Sequence, residues 1–440
     1  SAHIAAAARC ALDLLAQRRG APAGTRTSRV VSPVPRSTSI ETAEEEPLRI
    51  LIVAEHASAR FGGEAALPLH YFRVLRRRGN PVWLVTHART RAELDALYPG
   101  DPRIHYIEDT GFHRLMWRLS RLLPSRIAYF TTGFASRFAV QLVQRRVIRR
   151  LVAEHAISVV HQPMPVSPRE PSMIYGFGVP VIIGPMNGGM DYPPAFRRQK
   201  SFEGLFVRAA RAGSRLLNWA MPGKRQAQLL LVANDRTRRA LPTGNEGTVV
   251  ELVENGVDLG LWAPAAKHEQ DLRPDPAIVS FVYMGRLVDW KRVDLLVRAF
   301  ARSSAQVRMR LVIIGNGAEE AALRDLARQL NVLAPDDMSP GVAFAGWLSQ
   351  AQCAEQLRDS DCLVLPSILE CGGAVVLEAM AMGKPVIATA WGGPLDYLDA
   401  SCGILVPPRS ADALVEGLAA AMEQLAASPQ ERAELGRAGR

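Results

Sequence analysis

Residues 361–388 read DCLVLPSILECGGAVVLEAMAMGKPVIA. The segment starts with a short apolar run, Cys362 to Leu365, which predicts a buried strand. Good helix formers follow from Ala374 to Met382, and Gly383 and Pro385 stand where a helix must end before the next apolar run. The segment is therefore predicted to form a strand, a glycine turn, a helix and a second strand.

The glycine turn of this segment, Gly372-Gly373, is a candidate binding element. Backbone N–H groups at a helix N-terminus bind phosphate or sugar hydroxyls through hydrogen bonds and the helix dipole. Glycines alone are weak evidence, because close packing of a helix on a sheet also selects them. Two carboxylates flank the turn, Glu370 before it and Glu378 in the helix. Their presence favours a ligand site over a turn that serves only close packing.

Composition excludes several classes of protein. A chain of 440 residues, 48% hydrophobic and 22% charged, is globular and long enough for two domains. No apolar run approaches the roughly 20 residues that cross a bilayer, so an integral membrane protein is not expected. The five cysteines form no CxxC pair, and an odd number argues against a full disulfide framework. A reducing, cytoplasmic location is the prediction.

The net charge of +10 is unevenly distributed. Residues 1–255 hold 36 Lys and Arg against 20 Asp and Glu, whereas residues 256–440 hold 17 against 23. Two basic stretches, 114–150 and 197–225, are interleaved with leucines and aromatic residues. This pattern is typical of a surface for anionic lipid headgroups, and a solvated arginine-rich face is an equal alternative. No nucleic-acid module accompanies it, so nucleic acid is not an expected partner.

The chain begins with an arm, residues 1–47, that is rich in Ala, Arg, Ser and Pro. The arm is predicted to be poorly ordered, with a fusion remnant or a targeting peptide as alternatives. An apolar run from Arg49 to Ala54, the glycines Gly62-Gly63 and a helix from Glu64 to about Arg78 then predict the opening of a Rossmann-like domain. This first domain is predicted to span residues 48–256.

A proline-rich linker, residues 257–276, precedes a second domain over residues 277–440. In that domain apolar runs again alternate with helical patterns. The fold class predicted is therefore α/β, with two Rossmann-like domains that face each other across a cleft where a ligand binds.

His161 is better placed for a ligand than His56, His70 or His155. It follows the predicted strand Ser158–Val160, and ligands gather at the carboxyl ends of strands in open α/β sheets. A structural histidine is the alternative reading. The glycine-rich run from Gly184 to Pro193 is predicted to line the cleft.

The ordered set of these motifs resembles a known family. Glu370 and Glu378, followed by Gly383-Lys384-Pro385, are similar to the nucleotide-sugar site of family 4 retaining glycosyltransferases with the GT-B fold. Upstream, Gly285-Arg286-Leu287 with Lys291 is similar to the arginine and lysine with which that family binds a diphosphate. The resemblance covers residue 48 to the C-terminus.

The resemblance implies a role for each candidate residue. Arg286 and Lys291 would neutralise the leaving diphosphate, Glu370 would hold the transferred sugar and Glu378 the ribose, and His161 would contact the sugar. The other residues implied in donor binding are Gly62, Gly63, Gly285, Gly372, Gly373 and Ala374. The sequence departs from the family at two positions, with Gly372 where an aromatic residue is common and Arg292 where a glycine is common.

The expected activity is transfer of a sugar from a nucleotide-diphosphate sugar to an acceptor hydroxyl, with retention of configuration. The acceptor would be a saccharide or a lipid-linked molecule of bacterial polysaccharide or glycolipid synthesis, and peripheral binding to the inner face of the membrane is a further expectation. No metal or cofactor is expected, since Asp359-Ser360-Asp361 has the letters of a DxD motif but precedes a buried strand.

Alternatives are a nucleotide-sugar epimerase, a sugar phosphorylase and a non-catalytic sugar-nucleotide-binding protein. An NAD-linked dehydrogenase is disfavoured, because no GxGxxG follows Val53. The resemblance also implies a final helix that returns to the first domain, and a truncated chain is expected because no such helix precedes Arg440.

Overall fold

The computed structural model describes residues 47–61, 63–123, 125–197, 213, 216–253, 255–264, 278–303, 308–336 and 339–440. The predicted N-terminal arm up to residue 46, most of the predicted linker and Gly62 lie outside these ranges. The described residues divide into two compact units. The N-terminal unit contains the described residues up to Gly189 and those from 213 to 253, and the C-terminal unit contains Met190–Arg197 and Asn255–Arg440.

The N-terminal unit is built on a seven-stranded parallel sheet in the order β3-β2-β1-β4-β5-β6-β7. Its strands are β1 (Ile50–Val53), β2 (Val82–His87), β3 (Ile104–Ile107), β4 (Val159–Gln162), β5 (Val181–Met186), β6 (Leu229–Val232) and β7 (Thr248–Glu251). Its described α-helices are α1 (Gly63–Arg77), α2 (Arg91–Leu97), α3 (Gly111–Ser120), α4 (Ser125–Ala128), α5 (Phe134–His155), α6 (Gly223–Gln226) and α7 (Asp235–Arg239).

Strand β1 shows why this sheet is covered on both faces. All four of its side chains are buried. Ile50 and Ile52 enter one hydrophobic core, and Leu51 and Val53 enter another. Successive side chains of a strand point to opposite faces, so an unbroken apolar run suits a parallel strand between two layers of helices.

The C-terminal unit is built on a six-stranded parallel sheet in the order β10-β9-β8-β11-β12-β13. Its strands are β8 (Val279–Met284), β9 (Met309–Ile314), β10 (Gly341–Gly346), β11 (Cys362–Leu365), β12 (Val386–Thr389) and β13 (Gly403–Val406). Its described α-helices are α8 (Val293–Arg302), α9 (Glu320–Gln329), α10 (Gln350–Asp359), α11 (Ala374–Ala381), α12 (Ala411–Ala427) and α13 (Pro429–Gly439).

Each sheet has one point where the direction of chain progression reverses. In the N-terminal unit the reversal falls between β1 and β4, and in the C-terminal unit it falls between β8 and β11. The loops after such a strand pair diverge to opposite faces of the sheet and leave a crevice at the carboxyl ends, where ligands of open α/β sheets bind. The fold therefore marks one candidate position in each unit.

Two expectations from the sequence need correction. Strand β3 was not predicted, because its four residues carry a weak pattern with two half-buried polar positions. The glycine-rich run 184–193, predicted to be one loop lining the cleft, is divided. Its residues up to Met186 are the end of β5, and Met190–Arg197 pack with the C-terminal unit. The indole N–H of Trp391 donates to the carbonyl of Asp191 at 2.9 Å, which holds that segment in place.

Within the part of the chain that the structure describes, no helix combines the length and the apolar character needed to cross a membrane.

Candidate functional site

Two predicted site residues meet at the chain reversal of the C-terminal sheet. Strand β8 leads into the loop Gly285-Arg286-Leu287 and a 3₁₀ turn that ends at Lys291, and β11 leads to Glu370. The Lys291 ammonium donates a charge-assisted hydrogen bond to Oε2 of Glu370. The two side chains are only 15% and 14% exposed, so this is a partly desolvated pair of the stronger kind. Residues 79 positions apart in sequence thus form one polar centre.

Hydrogen bonds connect the two loops and orient Arg286. The N–H of Ile368 donates to the carbonyl of Trp290 at 3.1 Å, and the Tyr283 hydroxyl donates to the carbonyl of Arg286 at 3.0 Å. Burial, with a further contribution from the charge of Glu370, raises the pKa of Tyr283, which stays a neutral donor. The Arg286 guanidinium lies 5.8 Å from the centre of the Trp290 ring and its side chain is exposed. Arg286 therefore presents an exposed cation on the loop that leads to Lys291.

The predicted glycine turn precedes α11 as expected. Gly373 is the N-terminal cap residue of α11 with φ of 66°, a left-handed conformation that favours glycine. A Cβ at this position would also lie 3.3 Å from Cγ of Glu370. The first N–H groups of α11, starting at Ala374, consequently begin next to Glu370.

Two further glycine loops belong to this site, and the motif reading missed both. A Cβ at Gly393 would lie 2.6 Å from the carbonyl oxygen of Cys371, and the N–H of Gly393 donates to the carbonyl of Glu370 at 2.6 Å. On the other side, a Cβ at Gly315 would lie 1.9 Å from the carbonyl oxygen of Gly285. Both loops are backbone supports for the binding turns. The sequence did carry a signal for these two loops, because each glycine closely follows the end of an apolar run that predicts a strand.

Glu378 lies on α11 as a half-buried carboxyl group. It makes no hydrogen bond or ion pair with any described residue, and burial raises its pKa to about 7. Burial, with a further contribution from the charge of Glu378, raises the pKa of Cys353, on α10, to about 11. A carboxyl group in these surroundings can accept hydrogen bonds from ligand hydroxyls without first breaking an internal pair.

Arg292 explains one departure from the resembled family. It has φ of 51°, the left-handed conformation that a glycine adopts without strain, at the residue before α8. Its guanidinium makes two hydrogen bonds of 2.9 Å to the carboxylate of Asp294 and lies 5.2 Å from the ring centre of Phe196. Side-chain contacts thus offset the backbone strain that a glycine would avoid.

His161 lies in the N-terminal unit, and its predicted position needs correction. The strand continues to Gln162, so His161 stands within β4 and is 1% exposed. Its Nε2 hydrogen-bonds the carbonyl of Gly184 at 2.7 Å, and burial lowers its pKa to about 4, so the imidazole is neutral. Gly63 is the first residue of α1. The sugar contact of His161 and the donor contact of Gly63 remain predictions.

A metal site does not emerge from the described ranges. No group of three or more His, Cys, Asp or Glu side chains within them is placed to hold a metal ion. The DxD-like letters run from the last residue of α10 to the residue before β11, and Oδ2 of Asp361 accepts the N–H of Ser280 on β8 at 2.9 Å. Whether the reaction needs a metal is a question for an assay.

The region that contains this site is similar to a known protein family. Residues 265–440 match the family model described as "Glycosyl transferases group 1". The D-inositol 3-phosphate glycosyltransferase of Kribbella flavida is 35% identical over 229 residues, which are 48% of this chain and 51% of that protein. A protein of the same name from Mycobacteroides abscessus is 36% identical over 168 residues, which are 36% of this chain and 35% of that protein. The chain thus spans about half or less of the length of these curated relatives.

Solved structures extend the likeness over both units. Sucrose-phosphate synthase of Thermosynechococcus elongatus has a TM-score of 0.58 and 20% identity, over 89% of this chain and 93% of that one. HepE of Anabaena, in complex with UDP, has a TM-score of 0.58 and 17% identity over the same shares. The likeness confirms the predicted fold class, α/β with two Rossmann-like domains as in GT-B glycosyltransferases.

Proposed function

We propose that the protein is a retaining glycosyltransferase that transfers a sugar from a nucleotide-diphosphate sugar to an acceptor hydroxyl. The observation that carries the proposal is the Lys291–Glu370 pair at the chain reversal of the C-terminal sheet, with Arg286 on the loop that leads to Lys291. The matched region contains all three residues, and relatives of that region are named glycosyltransferases. A structural neighbour was solved with UDP, which makes UDP-sugars the first donors to test.

The chemistry of this centre suits a departing diphosphate. When the bond between the anomeric carbon and the phosphate oxygen breaks, negative charge grows on that oxygen, and fixed cations there stabilise the transition state by several kcal/mol. Arginine offers a planar fork to phosphate oxygens and lysine a point charge. We propose that Arg286 and Lys291 bind the donor diphosphate, and that the carboxylate of Glu370 accepts hydrogen bonds from hydroxyls of the sugar.

Retention follows if the acceptor attacks the face from which the diphosphate leaves. A new bond forms between the acceptor oxygen and the anomeric carbon, and the acceptor proton passes to the leaving phosphate oxygen. Glu370 is engaged by an ammonium and Glu378 has a raised pKa, so neither carboxyl group is a poised nucleophile. The scheme needs no metal, and we expect excess EDTA to leave turnover unchanged.

The test compares variants of the ion pair. Lys291→Met with Glu370→Gln removes both charges together, so no unpaired buried charge destabilises the fold. We expect this double variant to retain the wild-type unfolding temperature within a few degrees and to lose at least a hundredfold in transfer from UDP-, GDP- or ADP-glucose. Arg302→Ala, which breaks the exposed pair with Glu416, is the matched control. If the double variant turned over as fast as wild type, the proposed site would be refuted. If wild type formed a product in which no sugar is linked to an acceptor, an epimerase or a phosphorylase would be favoured.

We also propose that the acceptor pathway is bacterial polysaccharide or glycolipid synthesis at the cytoplasmic face of a membrane. Helix α3 and the turn after it expose Phe112, Leu115, Trp117, Leu119 and Leu122 beside arginines. Other arginines of the basic stretch are engaged in the fold, since Arg137 pairs with Glu170 and Arg145 hydrogen-bonds the carbonyl of Tyr175. The membrane proposal therefore rests on α3 and not on the whole stretch.

A further inference from the structure

A small cavity lined by both polar and apolar side chains lies in the N-terminal unit at the carboxyl ends of β1 and β4, the chain reversal of that sheet. Its volume of about 40 Å³ exceeds the roughly 10–15 Å³ that one water occupies by this measure, so it accommodates two or three hydroxyl-sized groups. The polar side chains that line it are Glu55, Arg137, Gln141, Gln144, Gln162 and Glu170.

Two glutamines of α5 have their amide orientations set by backbone partners. Oε1 of Gln141 accepts the N–H of Met173 at 2.7 Å, and Nε2 of Gln144 donates to the carbonyl of Ala54 at 3.1 Å. Because a backbone N–H only donates and a carbonyl only accepts, these contacts leave the NH₂ of Gln141 and the carbonyl of Gln144 for another partner. No described residue supplies one, although the two residues are 8% and 2% exposed.

Gln162 on β4 is oriented in the same way. Its Oε1 accepts the Ser172 hydroxyl at 2.6 Å, and that hydroxyl in turn accepts the N–H of Ile174 at 3.0 Å. The NH₂ of Gln162, in a residue 2% exposed, is thus another donor without a partner among the described residues. Buried amide groups with half of their hydrogen bonds unmade are costly unless a ligand or water completes them.

The charges around the cavity disfavour an anion. Nε of Arg137 donates to Glu170 at 2.7 Å, so its charge is balanced by that carboxylate. Glu55 adds a further carboxyl group, whose pKa is raised by burial against the opposing influence of Arg137. A phosphate accepts hydrogen bonds only, and it would meet the Gln144 carbonyl and two carboxyl groups.

We propose that this cavity binds adjacent hydroxyl groups of a neutral polyol, such as a sugar or cyclitol. A hydroxyl both donates and accepts, which matches two amide donors next to an amide carbonyl and a carboxyl group. If the proposed function holds, this ligand is the acceptor, and its uncharged end occupies the cavity. The binding claim itself does not need the transfer reaction.

Direct binding of myo-inositol, glucose and glucose 6-phosphate tests the proposal on the full chain by calorimetry or ligand-observed NMR. Gln162→Glu keeps the acceptor for Ser172 and exchanges the NH₂ donor for an oxygen. Val140→Ile adds a methylene at the cavity wall and removes no polar group. We expect each variant to weaken binding of a neutral polyol at least fivefold, or about 1 kcal/mol. Gln162→Glu acts through the loss of one hydrogen bond, and Val140→Ile acts by filling part of the cavity. UDP-glucose binding, read separately, should change less than twofold.

The outcomes separate the two proposals. Three results would each overturn the polyol site. The first is that wild type shows no saturable polyol binding, and the second is that polyol binding is unchanged in both variants. The third is that glucose 6-phosphate binds more tightly than the neutral polyols and Gln162→Glu abolishes that binding. Polyol binding that the variants weaken, in a protein that binds no nucleotide sugar, would support this cavity and refute the transferase.

Discussion

At the level of single residues, the raised pKa of Glu378 gives the protein a measurable pH dependence. The pKa of Glu378 in the folded protein is about 7, above the ordinary glutamate value of 4.5, so its carboxyl group binds the proton more tightly in the folded state than in the unfolded state. Its contribution to the free energy of unfolding is therefore fully present below pH 4.5 and is lost as pH rises through about 7. We expect Glu378→Gln to gain stability relative to wild type between pH 5 and 8, measured by urea unfolding.

The same titration should control donor binding if Glu378 accepts the ribose hydroxyls. Affinity for UDP-glucose in wild type should rise with pH through about 7 as the carboxylate forms, and Glu378→Gln should remove that rise. Glu416→Gln, at an exposed position, is the control. An identical pH profile in the wild type and Glu378→Gln would exclude this role for Glu378.

Arg292 offers a test of how a strained backbone is offset. A left-handed conformation costs a residue with a side chain roughly 1–2 kcal/mol relative to glycine. Arg292→Ala keeps that cost and loses the Asp294 and Phe196 contacts, so we expect a loss of about 1 kcal/mol in unfolding free energy. Arg292→Gly loses the same contacts but removes the strain, and should lie near wild type. Arg298→Ala, exposed on the same helix, should be neutral, and equal stability of the Ala and Gly variants would contradict the interpretation.

At the level of elements, the glycine loops at the ends of β9 and β12 determine where the binding turns lie. Gly315→Ala would place a Cβ 1.9 Å from the carbonyl oxygen of Gly285, so the loop that carries Arg286 must shift. We expect at least a tenfold loss of UDP-glucose affinity. The control is Gly346→Ala, which also has a positive φ, 70° against 130° for Gly315, but has open space around the Cβ. Equal losses in both variants would attribute the effect to backbone strain and not to loop position.

At the level of the whole molecule, the uneven charge predicts membrane attachment through the N-terminal half. Wild type should co-sediment with phosphatidylglycerol vesicles at 50 mM salt and much less at 500 mM, because the attraction is screened. Arg118→Gln should weaken binding about fivefold, since a basic residue near an anionic surface contributes about 1 kcal/mol. Trp117→Ser should also weaken it, whereas Trp347→Ser, an equally exposed tryptophan in the acidic half, should not. Binding to neutral phosphatidylcholine of equal strength would refute the electrostatic part.

The amino-acid sequence by itself determined the alternation of strands and helices and the glycine turn before α11. Features such as the strand Ile50–Val53 and the turn before α11 can be predicted locally. A short apolar run is enough to indicate a buried strand, and a glycine between a strand and a helix is enough to indicate a turn. Lys291 and Glu370 could be named together only through the resemblance to a family, since nothing local relates residues 79 positions apart. Only the tertiary structure decided the burial of His161 within β4, the supporting role of Gly315 and Gly393, and the cavity between β1 and α5. Each of these arises from contacts between distant segments, and strand order at the chain reversal is what brings those segments together.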